Sequence, residues 1–197
     1  LSARCNYLAQ DRCDIAFAAK ELCREFAAPN KSSYGRLKRL VRYLVGLPRL
    51  VYSYKFQTPT DQITVYCDTD FAGCQSTRRS TSGGVCLRGA HNVKHWAKTQ
   101  TTVCLSSGEA ELRGISDGLA QALGIQSIAR DLGFSWKNQM FSDATAAIGI
   151  ARRRGMGRIR HLDVTDLWVQ EKFGNGSAKI DKVFGADNPA DILTKHF

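Results

Sequence analysis

The hydrophobic pattern of this sequence first changes from helical to strand spacing near residue 57, and that change limits the folds that the chain can adopt. In Leu37–Leu44 the apolar residues recur at helical spacing. After Gln57–Asp61 the spacing becomes that of a strand, because Ile63–Asp68 alternates apolar and polar residues. The change predicts a helical segment over 1–56 and a second unit over 57–197.

The order of elements along 57–197 predicts the fold class. Helices are expected earlier, near 14–27 and 32–46. The second unit then has alternating segments typical of strands and periodic segments typical of helices. The predicted strands cover about 63–68, 82–89, 92–98, 139–142 and 178–184, and the predicted helices cover about 107–131, 144–153, 161–173 and a last one from Asn188-Pro189. This order predicts an α/β fold with a mixed five-stranded sheet flanked by helices and preceded by an N-terminal helical segment.

The helix over 107–131 has the clearest signals. Ser106 followed by Glu109 is a capping-box signature at its start, and Gly133 ends it. The apolar residues at helical spacing predict a buried stripe. The stripe consists of Leu112, Ile115, Leu119, Ala122, Ile128 and Leu132.

Charge and cysteine usage narrow the function classes. The formal net charge is +10, and residues 1–55 carry 11 Lys/Arg against 4 Asp/Glu, which favours a polyanionic partner such as nucleic acid. The alternative is a solvated helix face. Seven cysteines without a CxxC pair argue against a zinc ribbon and against a secreted disulfide scaffold. No apolar run is long enough for a membrane helix. We therefore expect no membrane and no disulfide-linked partner.

Several carboxylates are placed where they could converge on a divalent cation. Asp68 ends the first strand, Asp143 follows the strand over 139–142, and Asp191 lies in the first turn of the last helix. On the long helix Glu109 is explained by the cap, so Glu111 is the better candidate. Each aspartate also has an ordinary interpretation, as a turn residue, an N-cap or a partner of the helix dipole.

Six segments taken together resemble the RNase H region of copia-type retrotransposon Pol polyproteins. They occur in that family's order, and the resemblance covers about residues 60–197. The segments are Tyr66–Gly73, Arg78–Gly84, Thr102–Leu112, Phe141–Ile148, His161–Asp163 and Ala190–Lys195. The preceding stretches Tyr7–Ala16 and Leu37–Leu44 resemble the connection between reverse transcriptase and RNase H, so the chain is interpreted as a C-terminal fragment.

The resemblance implies an RNase H-like fold and an enzyme, an RNA–DNA hybrid endoribonuclease. Asp68, Glu111, Asp143 and Asp191 match the family's metal-binding, catalytic carboxylates. They would hold two Mg²⁺ ions ~4 Å apart, with Mn²⁺ as a substitute. The implied partners are an RNA–DNA hybrid and the reverse transcriptase portion of the same polyprotein. The implied location is intracellular, in a cytoplasmic retrotransposon particle or in the nucleus.

Substrate contacts are expected in two places. The first is the polar strand start, where backbone and hydroxyl groups could read 2′-hydroxyls. The second is a basic run that could hold phosphates. The candidates are Ser80, Thr81, Ser82, Gly83, Arg158, Arg160 and His161.

The chain departs from the family pattern at three points. Cys13 stands where proline is usual, Gly108 replaces a common threonine, and the loop 184–187 lacks the histidine that many RNase H enzymes carry. An alternative is therefore a catalytically decayed domain that only binds nucleic acid or has a structural role. An integrase of the same broad fold is disfavoured because its glutamate comes last.

Overall fold

The computed structural model describes residues 1–155 and 164–195. Its centre is one five-stranded sheet in the order β3-β2-β1-β4-β5. The strands are Gln62–Asp70 (β1), Thr81–Arg88 (β2), His91–Thr99 (β3), Lys137–Ser142 (β4) and Lys179–Lys182 (β5). The first three are antiparallel neighbours, whereas β4 pairs parallel with β1 and β5 pairs parallel with β4. The predicted mixed α/β sheet is confirmed.

Six α-helices surround the sheet in the part of the chain that the structure describes. They are Ser2–Leu8 (α1), Ala16–Arg24 (α2), Lys31–Gly46 (α3), Ser107–Asp131 (α4), Thr145–Arg152 (α5) and Val164–Gly174 (α6). The predicted span of the long helix is confirmed by α4. No sequence signal predicted α1, and the predicted last helix is a short 3-10 helix, Pro189–Leu193, whose N-cap is Asn188.

The first sheet face packs against α4, α5 and α6. In β1 the alternation sends Ile63, Val65 and Cys67 into this core, where all three are fully buried. Helix α4 approaches β1 closely, because a Cβ at Gly118 would lie 2.4 Å from the Cys67 sulfur. The predicted buried stripe of α4 is wrong at its end, since Ile128 is 63% and Leu132 68% exposed.

The second sheet face is covered by the N-terminal helices and the C-terminal 3-10 helix. A separate apolar cluster joins residues of α1, α2 and α3 to Val85 of β2 and to Leu193. Polar contacts tie the layers together as well, since Lys20 Nζ donates a hydrogen bond to Thr81 Oγ1 (2.7 Å) and His95 Nε2 donates to the Ala9 carbonyl (2.9 Å). The segment 1–56 therefore lies on the sheet. The division of the chain at residue 57 stays a prediction.

Among the described residues, no helix is both long and apolar enough to span a membrane.

Candidate metal centre

Asp68 lies near the carboxyl end of β1, at the middle of the sheet. Asp68 is only 4% exposed, and Thr194 Oγ1 donates a hydrogen bond to its Oδ2. Burial raises the pKa of the Asp68 carboxyl, and the negative charges of Asp191 and Asp143 raise it further, while the bond from Thr194 opposes the shift. A buried carboxylate surrounded by other carboxylates is costly unless a cation is nearby.

Glu111 is brought to Asp68 by the start of α4. Ser106 caps this helix by accepting a hydrogen bond from the Glu109 amide (3.2 Å), while the Glu109 carboxylate accepts from the Leu105 amide (2.8 Å) and from Arg113. Glu109 therefore serves the helix start, as the sequence indicated, although its partner is the Leu105 amide rather than the Ser106 amide. Glu111, two residues later, is left to face β1.

The Glu111 carboxyl is the most perturbed acid of this region. Burial raises its pKa to about 8, with further upward contributions from the charges of Asp68 and Asp143. Its Oε2 atom is buried and has no hydrogen-bond partner among the described residues. An acid with this environment is a candidate for a functional site.

Asp143 follows β4 directly. Because β1 and β4 are parallel neighbours, their carboxyl ends meet at the same edge of the sheet, which brings Asp143 next to Asp68. The N-cap of α5 is Ala144, and no side chain caps that helix, so the ordinary N-cap interpretation of Asp143 is wrong. One carboxylate oxygen from each of Asp68, Glu111 and Asp143 lies within 4.8 Å of the other two.

Asp191 approaches this group from the opposite layer. It lies in the C-terminal 3-10 helix and is not part of the 4.8 Å group. Its Oδ2 pairs with Lys195 Nζ at 2.6 Å, and that bond raises the pKa of Lys195, whereas its Oδ1 is buried without a partner among the described residues. Lys195 thus supplies positive charge at the edge of the carboxylate cluster.

The donor set fits a hard divalent cation. Four carboxylates supply oxygen ligands only, which Mg²⁺ and Mn²⁺ accept. Two of their buried oxygens, Glu111 Oε2 and Asp191 Oδ1, lack a hydrogen-bond partner in the described chain. A bound cation would satisfy such oxygens and would offset the burial and the charge repulsion that raise the pKa values of Asp68 and Glu111.

The residues at the start of β2 that were expected to contact a substrate are covered by other parts of the protein. Ser80, Thr81 and Ser82 are buried, and their hydroxyls accept hydrogen bonds from the Ala72 amide, Lys20 and Gln100 respectively. Gly83 lies under Leu193 and Thr194. These four residues are covered by neighbouring groups of the protein, and a contact between them and a substrate stays a prediction. The other candidates, Arg158, Arg160 and His161, lie outside the described residues.

Sequence reasoning missed the role of Thr194. It is fully buried, and its hydroxyl lies between Asp68 and the Asp191 carbonyl oxygen, which is 3.1 Å away. Its position within Ala190–Lys195, one of the segments that carry the resemblance, was the available signal. The chain separation of 126 residues from Asp68 hid the contact.

The chain is similar to parts of Pol polyproteins from plant transposons. The Retrovirus-related Pol polyprotein from transposon TNT 1-94 of Nicotiana tabacum is 28% identical over 186 residues, which is 93% of this chain and 14% of that polyprotein. That from transposon RE1 of Arabidopsis thaliana is 28% identical over 193 residues, which is 96% of this chain and 13% of the polyprotein. The chain therefore spans a small part of these relatives.

The chain is also weakly similar to solved structures. An RNase H1 isolated from compost, LC11, is 12% identical with a TM-score of 0.49, and the match covers 68% of this chain and 93% of that one. No family model matches the chain.

Proposed function

We propose that this chain is a ribonuclease H that hydrolyses the RNA strand of RNA–DNA hybrids with two divalent cations. The proposal starts from two premises: the chain belongs to the retrovirus-related Pol polyproteins of copia-type transposons, and it has an RNase H-like fold. The observation that carries the proposal is the convergence of Asp68, Glu111 and Asp143 within 4.8 Å. The chain would act as part of a polyprotein, beside its reverse transcriptase portion and inside the cell.

The four carboxylates would hold two Mg²⁺ ions. Such a pair, when bound, activates a water molecule and stabilises the leaving oxygen of a phosphodiester. Asp68, Glu111 and Asp143 are close enough to share a cation, and Asp191 would contribute its unpartnered Oδ1. Mn²⁺ accepts the same ligands.

The protein's own groups prepare this site. Thr194 donates to one oxygen of Asp68 and so limits the rotation of that carboxylate. Glu111, whose pKa is about 8 because of burial, must release a proton from its carboxyl before it can act as a ligand near neutral pH. Cation binding and proton release at Glu111 are therefore coupled in this proposal.

Phosphate contacts would come from basic residues near the carboxylates. Arg78 and Arg79 are exposed in the loop that follows β1, at the same sheet end as Asp68. Each phosphate contact adds affinity that falls as the salt concentration rises. Selectivity for RNA would require contacts with 2′-hydroxyls across the minor groove of the hybrid.

The direct test is magnesium-dependent cleavage of a hybrid whose RNA and DNA strands carry different labels. The wild-type chain should cut the RNA strand only. Asp68→Asn and Glu111→Gln should each lower the rate by at least about a hundredfold, because loss of an outer partner of a metal ligand already costs 10–100-fold. Glu109→Gln is the matched control, since Glu109 lies on the same helix but serves the helix start.

Two results would contradict the proposal. If the chain binds the hybrid but cuts it with neither Mg²⁺ nor Mn²⁺, the decayed-domain alternative holds. If Glu109→Gln abolishes cleavage and Glu111→Gln does not, the assignment of the glutamates is wrong.

A further inference from the structure

The C-terminal 3-10 helix is pressed against the sheet at a position where no side chain fits. A Cβ at Gly83 of β2 would lie 2.7 Å from Thr194 Cγ2 and 2.9 Å from Leu193 Cβ. Gly83 is the cross-strand neighbour of Asp68. The absence of a side chain at Gly83 therefore lets Leu193 and Thr194 reach the part of the sheet that carries Asp68.

The N-terminal segment covers the other side of Leu193. Leu193 is fully buried in one apolar cluster with Ile15, Ala16, Ala19 and Leu22. Two N-terminal elements pack against the C-terminal 3-10 helix. They are α2 and the short 3-10 helix Cys13–Ile15 that precedes it. Leu193 is consequently held between the sheet and the N-terminal helices.

A half-buried lysine joins the same layer to the sheet next to the site. Lys20 of α2 donates to Thr81 Oγ1 at the start of β2 and pairs with Glu21 at 2.5 Å. Thr81 is the cross-strand partner of Asp70, two residues beyond Asp68. The N-terminal segment thus contacts this layer at two points. One is Leu193, and the other is Thr81 at the start of β2, next to the end of β1 that carries Asp68.

We propose that Thr194 is a positioning residue for the metal site and that the N-terminal helices hold it in place by clamping Leu193 onto the sheet. This inference rests on the proposed function. Thr194 Oγ1 fixes one oxygen of Asp68, and the planarity of the carboxylate then fixes the direction of the other oxygen. Any displacement of α2 would release Leu193 and, through Thr194, would change the geometry at Asp68. The N-terminal helices are in this way part of the proposed nuclease site.

The experiment uses the whole chain and three kinds of variant. Thr194→Val removes the hydroxyl with little change of shape, and Thr194→Ser restores the hydroxyl. Ile15→Ala loosens the clamp from a distance. Ile63→Ala is its matched control, since Ile15 is 1% and Ile63 0% exposed, but Ile63 lies in the other core, near the start of β1. Ile15→Val and Ile63→Val replace this pair if either alanine variant does not fold.

Two quantities are measured besides cleavage. One is Mn²⁺ affinity by calorimetry, and the other is the hydrogen exchange rate of the Thr194 amide, which donates to the Asp191 carbonyl. Thr194→Val and Ile15→Ala should each weaken Mn²⁺ binding about tenfold, the lower end of the range for partners of metal ligands. Ile15→Ala should also speed exchange at Thr194 more than Ile63→Ala does. Thr194→Ser should recover the Mn²⁺ affinity lost in Thr194→Val.

Unchanged Mn²⁺ affinity in Thr194→Val would overturn the positioning role. Equal effects of Ile15→Ala and Ile63→Ala on both quantities would overturn the clamp. If the wild-type chain binds no Mn²⁺, the proposed function fails, and exchange at Thr194 alone then decides: faster exchange in Ile15→Ala than in Ile63→Ala supports the clamp, and equal exchange overturns it.

Discussion

The two faces of the sheet are covered in different ways. On the α4 face, large apolar side chains such as Leu112 and Leu119 are fully buried in a continuous core. On the opposite face the apolar cluster is smaller, and polar bonds cross it at Lys20, His95 and Thr194.

The carboxylates lie at one end of the sheet, where the helices on the α4 face and the elements on the opposite face come together. Glu111 comes from the α4 layer and Asp191 from the opposite layer, while Asp68 and Asp143 come from the strands between them. The opposite layer supplies one of the four carboxylates, Asp191, together with the Thr194 hydroxyl that bonds to Asp68. Neither layer alone builds this centre.

The largest expected effects concern the two cores themselves. Leu119→Ala and Leu22→Ala should each lower the free energy of unfolding by about 2–5 kcal/mol, with the larger loss at Leu119, because a buried leucine leaves a cavity. Urea unfolding followed by circular dichroism measures both. If the two layers form one unit, each variant shifts a single transition. A separate early transition in Leu22→Ala would show that the N-terminal layer unfolds on its own.

A second prediction concerns how closely α4 lies against the sheet. Gly118→Ala should destabilise the protein by about 1–3 kcal/mol, because the new Cβ overlaps the Cys67 sulfur. Gly124→Ala is the control on the same helix, where no atom lies within 4 Å of the new Cβ, and it should stabilise by up to about 1 kcal/mol. Thermal unfolding of both variants checks this, and a neutral or stabilising Gly118→Ala would mean that the helix is not in close contact there.

A third prediction concerns the pH dependence of the metal-free protein. Glu111 has an ordinary pKa of 4.5 and a pKa of about 8 in the fold, so the folded state binds the extra proton within this window. Stability should therefore fall as pH rises from 4.5 to about 8, and the raised pKa of Asp68 acts in the same direction.

Chemical denaturation of the wild-type chain and of the variant Glu111→Gln, each at several pH values, measures how the free energy of unfolding declines with pH. The variant should show a shallower decline, because the amide does not titrate. An equal slope in both proteins would place the carboxyl of Glu111 in a less buried environment than the fold indicates.

Local patterns predicted most of the fold. The alternation of Ile63–Asp68 and the cap at Ser106 lie within a few residues of what they determine, so β1 and α4 were predicted at nearly their observed positions. Helix α1 was missed because only Cys5 of its seven residues is buried, which leaves no apolar stripe to detect.

The site was predictable only as far as local signals reach. Asp68 and Asp143 follow strands, and Glu109 had a cap to explain it, so the acidic candidates could be chosen from the sequence. The covering of Ser80–Gly83 and the bond from Thr194 to Asp68 depend on chain segments that are far apart in sequence. Neither could be predicted without knowing which of these distant segments come together on the sheet.

The most direct test of the carboxylate centre is anomalous diffraction from crystals of the chain grown with Mn²⁺. We predict manganese peaks within coordination distance of Asp68, Glu111 and Asp143, with Asp191 turned toward one of them through Oδ1. Manganese bound elsewhere, with these carboxylates still paired only with protein groups, would contradict the account.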